Sequence, residues 1–487
     1  MFSDNSENDF EEISIPKVDY VIGNPPWVNW EYLPNDYRKK TKFLWQYYSL
    51  YSQKGMNAGF IKEDISVLFT YVVADKFLKD NGNLIFVVKE TLFKSVKQGE
   101  GFRRFKIVPT KMPLNPYLVE DLSLFKPFNG AVNRTAIVYL KKGEELNFPV
   151  NYLEWKPLNG KKSLENNFDL NRLNERFSFV KKKAQPSDIG KPLSGWISIE
   201  EEDLEKIKFV LGRSFYRART GVFTGGANGI FWLNIINNGG DSLLVKNITH
   251  RAKNKMKSVQ AELEKEYVFP FLTGSDLNFW SYQYSKYVLC PHTRESKMYP
   301  IQKTELSKIP LTKSYFELFE RELIERKGFT SFDKHIQLES YYALQRIGDY
   351  TFAPYKVAWR YISKNFTPAV IEYADDNFLG KKNIIPNEKI IFIGLEDKKE
   401  AYYLCGILSS NLYRKTIESF MVGTQITPSL LQRLNLPKFD EQNDLHLEIS
   451  EICLYGHRNI NEKESAVKSI NQLVERLIIN KPTPSLL

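Results

Sequence analysis

Cysteine is scarce in this chain. The 487 residues contain three, Cys290, Cys405 and Cys453, which lie far apart. Their spacing matches neither a metal-ligand motif nor an even disulfide framework, which favours a reducing compartment and predicts a cytoplasmic protein without a metal. The five histidines are scattered as well, and no nuclease-like group of carboxylates with a lysine stands out.

Long apolar runs are also missing. No stretch approaches the length needed to span a bilayer, so we expect no membrane partner. The first residues, MFSDNSENDFEE, are acidic and polar, which excludes a secretory signal peptide.

What the chain does contain is typical of a large globular protein. Hydrophobic residues make up 42% and aromatic residues 14%, and the length suggests about three domain-sized units. The net charge of +10 suits a polyanionic partner, although basicity alone is weak evidence for one.

The most informative stretch is residues 19–27, DYVIGNPPW. Its apolar, β-branched and aromatic residues predict a buried strand of a parallel sheet, and Gly23 allows a turn at the carboxyl end. Pro25 and Pro26 then stiffen a loop where open α/β sheets bind their ligands. The alternative interpretation is an ordinary turn that ends a strand, with a packed tryptophan.

The sequence Asn-Pro-Pro-aromatic after an apolar strand resembles the catalytic loop of DNA methyltransferases that modify the exocyclic amine of adenine. That resemblance implies S-adenosylmethionine as cofactor and Asn24, Pro25, Pro26 and Trp27 as catalytic residues. The Asn24 side-chain oxygen and the Pro25 carbonyl would accept hydrogen bonds from the amine, and Trp27 would stack on the extruded base.

The segments that follow strengthen this resemblance. A helical pattern after Asp64, a strand over 84–88, the basic pair Arg103 and Arg104, and a hairpin of 118–125 with 134–140 come in order. The order resembles the carboxyl-terminal half of the catalytic domain in gamma-type, Eco57I-like adenine methyltransferases. Asp64 is predicted as a helix N-cap, and the resemblance places it beside the cofactor and target-base pocket.

The donor-binding half of that family has no counterpart in this sequence. Only about seventeen residues precede the catalytic strand, too few for a strand-helix-strand unit. The glycine cluster at 223–226 is a weak imitation of a donor loop. We therefore expect a separate subunit or fragment to carry the donor-binding half.

The later part of the chain resembles, more loosely, the target-recognition domain of the same enzymes. Its anchors are the Thr220-Gly221 pair, the run PFLTGSD at 270–276 and a closing segment at 402–437. The residues predicted to contact double-stranded DNA are Arg217, Arg219, Thr224, Lys253, Arg360, Gln425 and Thr427. Each of them could instead be an ordinary surface residue.

These observations predict an α/β protein with a partial Rossmann-like methyltransferase sheet, a mixed α+β recognition domain and a helical tail. The predicted boundaries are 1–145 for the catalytic half, 146–200 for a surface connector, 201–440 for recognition and 441–487 for the tail.

Three functions remain open at this stage. The first is part of a site-specific DNA adenine methyltransferase of a restriction-modification or phage-defence system, which leaves room for a partner restriction nuclease. The second is a non-catalytic DNA-binding specificity subunit or truncated fragment. The third is methylation of an amide or RNA nitrogen, which the same tetrapeptide also serves.

Overall fold

The computed structural model describes residues 15–51, 63–95, 98–128, 133–158, 160, 169–188, 190–250, 256–326, 334–421 and 424–479. The chain divides into two compact units, an N-terminal unit (Met1–Leu204) and a C-terminal unit (Glu205–Leu487). Both combine strands and helices, so the predicted mixed α/β fold class is confirmed.

The N-terminal unit is built on one mixed sheet. Its strands in the described residues are β1 (Val18–Gly23), β2 (Leu78–Lys89), β3 (Lys106–Ile107), β4 (Met112–Asp121), β5 (Thr135–Lys142), β6 (Val150–Pro157), β7 (Phe177–Pro186) and β8 (Trp196–Ile199). They lie in the order β1-β2-β5-β4-β6-β7-β8, with β3 paired to β4. β1 runs parallel to β2, β4 runs parallel to β6, and the other pairs are antiparallel.

The helices of this unit in the described residues are α1 (Asn35–Tyr47), α2 (Ile65–Lys76), α3 (Thr91–Lys94) and α4 (Leu173–Arg176). The apolar face of the sheet packs with α1 and α2 into a core that includes Trp45, Tyr71, Leu84 and Val138. The predicted helix after Asp64, the buried strand over 84–88 and the hairpin of β4 with β5 are therefore confirmed.

Three details differ from the sequence-based expectation. β1 is an edge strand, and Tyr20 and Ile22 are 64% and 74% exposed, so the prediction of a buried strand was wrong. Helix α2 ends at Lys76, and Asn81 and Gly82 lie inside β2. Asn81 has a φ of 63°, beside an irregularity in the β1-β2 register.

The residues expected to form a surface connector contribute to the sheet instead. Strands β6, β7 and β8 fall within 146–200 and extend the sheet beyond β4. Val150, Tyr152 and Ala184 are buried there among many lysine and asparagine residues, which concealed the strand pattern in the sequence.

The C-terminal unit contains two larger sheets and two small hairpins. Its strands are β9 (Arg219–Thr220), β10 (Trp232–Asn238), β11 (Ser242–Asn247), β12 (Gln260–Glu264), β13 (Val268–Leu272), β14 (Leu277–Asn278), β15 (Ser281–Tyr282), β16 (Lys286–Leu289), β17 (Tyr355–Arg360), β18 (Ala369–Ile371), β19 (Ala374–Asp376), β20 (Gly380–Lys382), β21 (Ile385–Pro386) and β22 (Ile390–Leu395). One sheet has the order β12-β11-β10-β16-β13-β21, the other the order β18-β17-β22-β9, and β14-β15 and β19-β20 form the hairpins.

Helices surround these sheets. They are α5 (Leu204–Val210), which starts at the boundary, α6 (Asn228–Phe231), α7 (Lys303–Leu306), α8 (Pro310–Glu317), α9 (Glu320–Ile324), α10 (Lys334–Glu339), α11 (Lys398–Ser409), α12 (Asn411–Ser419), α13 (Pro428–Leu431), α14 (Asp444–Arg458) and α15 (Lys463–Ile479). The predicted helical tail is a hairpin of α14 and α15 that packs on α11 of the same unit. A Cβ on Gly406 of α11 would lie 2.6 Å from Ile449, so the close helix contact requires glycine there.

A buried ionic network stabilises the N-terminal unit. Lys94 Nζ lies 2.9 Å from Glu90 Oε1 and 3.0 Å from Asp121 Oδ2, and the Tyr152 hydroxyl donates to Asp121 over 2.6 Å. Burial alone would raise the pKa of Asp121, but the Lys94 charge and hydrogen bonds from Ser123 and Tyr152 lower it to about 2. All three partners of Asp121 are therefore needed to keep its charge inside the sheet.

We predict that Lys94→Met lowers the free energy of unfolding by about 3–5 kcal/mol, because it leaves buried carboxylates without a cation. Tyr152→Phe removes one hydrogen bond to a charged group and costs less, about 1.5–3 kcal/mol. Urea denaturation at neutral pH measures both. Because the folded-state pKa of Asp121 is lowered, its contribution is complete above the ordinary carboxyl pKa and is lost as the pH falls toward 2. A Lys94→Met protein as stable as the wild type would contradict this role.

Candidate active site

The Asn-Pro-Pro-Trp loop lies at the carboxyl end of β1. Parallel pairing aligns Gly23 of β1 with Phe86 of β2, so the ends of both strands meet at the same edge of the sheet. A Cβ on Gly23 would lie 3.1 Å from the Phe86 ring, which explains why the smallest residue precedes the loop. Asn24 and Pro26 are exposed and Pro25 is buried, so the loop is anchored at its centre and open at Asn24.

Trp27 is fixed against the neighbouring strand. Its indole Nε1 donates to the Val87 carbonyl of β2 over 3.1 Å. The Phe128 ring lies 5.5 Å away, centroid to centroid, in an edge-on arrangement of 61°. The indole is only half-buried, so a flat ring remains accessible beside Asn24.

The chain that leaves the loop is tied to the start of α2. The Ile65 N–H donates to the Val28 carbonyl over 2.9 Å, and the Trp30 N–H donates to the Glu63 carbonyl over 2.7 Å. Trp30 is buried and packs edge-on against Trp45 of α1. These contacts fix the loop at its exit as the β1-β2 pairing fixes it at its entry.

Lys89, at the end of β2, connects the two. Its Nζ lies 2.6 Å from Asp64 Oδ2 and donates to Asn29 Oδ1 over 3.0 Å. Asp64 Oδ1 accepts from the Ser66 N–H over 2.9 Å, which confirms Asp64 as the N-cap of α2. Both carboxylate oxygens of the buried Asp64 thus face partners within the chain.

This arrangement suits recognition of a planar amine. The Asn24 side chain makes no hydrogen bond within the part of the chain that the structure describes, so its carbonyl oxygen is available as an acceptor. A carbonyl acceptor and a half-exposed indole on a braced loop are the groups needed to hold an amino-substituted aromatic ring.

The residues predicted to contact DNA lie in the C-terminal unit, where the structure describes all except Lys253. Arg217 and Arg219 are exposed, and the Arg219 guanidinium lies 5.3 Å from the Tyr350 ring. Thr224 is buried, and its hydroxyl donates to Asn228 Oδ1 over 2.5 Å. The expectation that the Thr224 side chain points outward toward DNA was therefore wrong.

The other three differ in availability. Arg360 is half-buried, and it donates to the Leu277 carbonyl over 2.5 Å and to Asn278 Oδ1 over 2.6 Å. Gln425 is exposed beside the isolated bridge to Ile362. Thr427 precedes α13, and its hydroxyl lies 2.9 Å from the Ser429 hydroxyl. The structure does not bring these side chains into contact with one another.

The three cysteines are free and buried, and two of them lie together with a histidine. The ligand atoms of Cys405, Cys453 and His457 lie within 4.8 Å of one another, which the sequence spacing did not indicate. His457 Nε2 accepts from the Val370 N–H over 3.0 Å, and its Nδ1 lies 2.8 Å from the Cys453 carbonyl. Both ring nitrogens are thus used between α14 and β18, as in a packing contact.

Comparisons with known proteins agree with the geometry of the N-terminal unit. Residues 2–114 match the family model described as Eco57I restriction-modification methylase. This match supports a role related to DNA methylation. A search of curated proteins found no match.

Among solved structures, the chain is similar in fold to the Type IIL restriction-modification enzyme MmeI in complex with DNA. The TM-score is 0.53 at 10% identity, with 96% of this chain and 55% of that chain covered. The chain therefore spans about half the length of that protein. Two further matches are the Type ISP enzyme LlaGI, with a DNA substrate mimic, and the DrdV-DNA complex. LlaGI has 12% identity, a TM-score of 0.36 and coverages of 90% and 42%, and DrdV has 13%, 0.35, 90% and 44%. None of the helices in the described residues is long and apolar enough to cross a membrane.

Several residues of the site were not apparent from the sequence. Asn29, Lys89 and Phe128 contact the loop or its support, but each stands alone in its segment with no motif around it. Only the strand order, which places the end of β2 beside the loop, could have indicated Lys89.

The double role of Asp64 leads to a prediction. Asp64→Ala loses the helix cap and the ion pair, whereas Asp64→Asn loses the ion pair but keeps a good cap. We expect Asp64→Ala to unfold with a free energy about 1 kcal/mol lower than Asp64→Asn, by urea denaturation. Equal stability of the two variants would show that the cap contributes nothing.

Proposed function

We propose that this chain supplies the catalytic loop and the recognition part of a site-specific adenine DNA methyltransferase of a restriction-modification or phage-defence system. The observation that carries the proposal is the braced loop, with Asn24 exposed and Trp27 fixed at the end of β1. The match of residues 2–114 to a methylase family supports it.

In this proposal Asn24 and the Pro25 carbonyl accept the two protons of an adenine amine, and Trp27 stacks on the extruded base. Holding both protons favours a tetrahedral nitrogen whose lone pair points away from the ring. S-adenosylmethionine, when bound, supplies an activated methyl group. The new nitrogen-carbon bond replaces the sulfur-carbon bond, and the amine releases one proton to solvent.

The described residues of this chain do not offer a donor site of their own. Asp64, the candidate cofactor residue, is engaged by Ser66 and Lys89. We therefore propose that Asp64 supports the loop, and that S-adenosylmethionine is held by a donor-binding unit on a separate subunit or in a longer form of this polypeptide.

The edge of β1 is the proposed attachment point for that unit. β1 pairs only with β2 among the described strands, and Tyr20 and Ile22 are exposed on it. An unpaired edge with apolar side chains is a ready template for another strand. A strand added there would also place its carboxyl end beside Asn24 if it ran parallel.

Double-stranded DNA is the proposed substrate, and cytoplasm the proposed compartment. The exposed arginines of the C-terminal unit and the DNA-bound relatives of similar fold support the first, and the free thiols support the second. A restriction nuclease on an associated chain is compatible with this assignment.

We predict that Asn24→Ala abolishes methyl transfer while DNA affinity stays within about twofold, because Asn24 acts on the amine and not on the phosphates. Methyl transfer is measured from radiolabelled S-adenosylmethionine to duplex DNA, with the donor-binding unit present, followed by digestion to nucleosides. Asn171→Ala, an exposed asparagine of the same unit, is the matched control and should be fully active.

Methyladenine is the expected product. Parent-rate turnover by Asn24→Ala, or methyl groups found only on cytosine, would contradict the assignment of the loop. DNA binding without any methyl transfer by the wild-type assembly would favour the non-catalytic specificity subunit instead.

A second prediction concerns the cofactor. Calorimetric titration of the 487-residue chain with S-adenosylmethionine should show weak or no binding, and Ile22→Lys should weaken its association with a donor-binding unit by placing a charge on the β1 edge. Lys40→Met, on the exposed face of α1, serves as a control. Tight binding of the cofactor by this chain alone would overturn the need for a second unit.

A further inference from the structure

Two glycine-containing anchors of the recognition resemblance enclose one turn of the C-terminal unit, residues 386–390. A Cβ on Gly221 would lie 2.2 Å from the Asn387 carbonyl oxygen, and one on Gly274 would lie 3.2 Å from Lys389 Cβ. Both glycines therefore allow the 386–390 turn to approach closely. The Thr220-Gly221 pair and the PFLTGSD run thus have a shared structural purpose.

The 386–390 turn is held firmly by the backbone. The Val222 N–H donates to the Pro386 carbonyl over 2.8 Å, and the Gly221 N–H donates to the Ile390 carbonyl over 2.9 Å. The buried Asn387 accepts from the Lys389 N–H over 2.9 Å through its side chain. Such a turn presents its remaining side chain, Glu388, in a fixed position.

Glu388 has an unsatisfied acceptor. Its Oε2 is buried and has no hydrogen-bond partner among the described residues. Burial raises the pKa of Glu388, whereas its own backbone N–H and the charges of Lys389 and Arg346 lower it. A buried carboxylate oxygen without a donor is costly, so an external donor would be favoured there.

Donor groups without partners lie next to it. Gln345 pairs with Phe223 through two backbone hydrogen bonds of 2.9 and 3.1 Å, directly beside the segment that holds the turn. The Gln345 side-chain Nε2 is buried and has no partner in the described part of the chain. The exposed Arg346 places its guanidinium 5.2 Å from the Phe223 ring, which keeps the planar group oriented.

We propose that Glu388, Gln345 and Arg346, the 388 patch, read the edge of a base pair in the major groove of duplex DNA. This inference rests on the proposed DNA-binding function. The Glu388 carboxylate accepts from the exocyclic amine of cytosine, and Arg346 donates to O6 and N7 of the paired guanine. A phosphate contact does not fit this site, because the carboxylate would repel it.

The test is selection of bound sequences from a randomised duplex pool by the full chain, followed by sequencing. The wild type should enrich a motif that contains a C·G pair. Glu388→Gln is nearly isosteric and should shift that one position from cytosine toward adenine, by roughly tenfold or more, with the other positions unchanged. Arg346→Ala should relax the same position.

Glu448→Gln, an exposed carboxylate on α14, is the control and should select the wild-type motif. The proposal is overturned if Glu388→Gln also selects the wild-type motif, or if the wild type selects none. Circular dichroism melting of each variant verifies that it is folded. The readout needs no methyl transfer, so failure of the proposed catalysis would not affect it.

Discussion

The candidate active site depends on the position of one ammonium group. Lys89 ends the strand beside the loop, and its Nζ reaches both the loop exit at Asn29 and the cap of α2 at Asp64. Three segments that are distant in sequence are thereby joined by one cation in a place with little access to water. A partly buried cation needs compensation, and the two oxygens supply it. The loop can be stiff because its surroundings have no alternative way to satisfy Lys89.

The sequence predicted those parts of the N-terminal unit that rest on local patterns. Apolar residues of β1, the cap at Asp64 and the proline pair each determine structure within a few residues, so they could be read directly. The exposure of β1 could not, because it depends on which strand lies beside it and not on the residues of β1. The strands in 146–200 were missed because lysines and asparagines on their exposed side obscure the alternation.

In the C-terminal unit the sequence indicated the right segments but not the role of their residues. Thr220-Gly221 and Thr273-Gly274 were noticed as motif anchors, and the structure shows the glycines accommodating a neighbouring backbone turn. Thr224 was chosen for its polarity, yet its hydroxyl is used by Asn228 inside the unit. Glu388 gave no signal, because its lack of a partner arises from contacts among segments more than a hundred residues apart.

The charge of the chain acquires a clearer meaning from these contacts. A net charge of +10 suggests many cations available for DNA, but several are consumed internally. Arg103 donates to the carbonyls of Leu193 and Gln98, Arg326 donates to those of Thr224 and Ala343, and Arg360 is bonded to Leu277 and Asn278. Carbonyl oxygens bind a guanidinium without cancelling its charge, so these arginines contribute to the long-range potential but not to contacts. Specific recognition must therefore come from the few polar groups that the fold leaves unsatisfied, since only they gain hydrogen bonds when a ligand arrives.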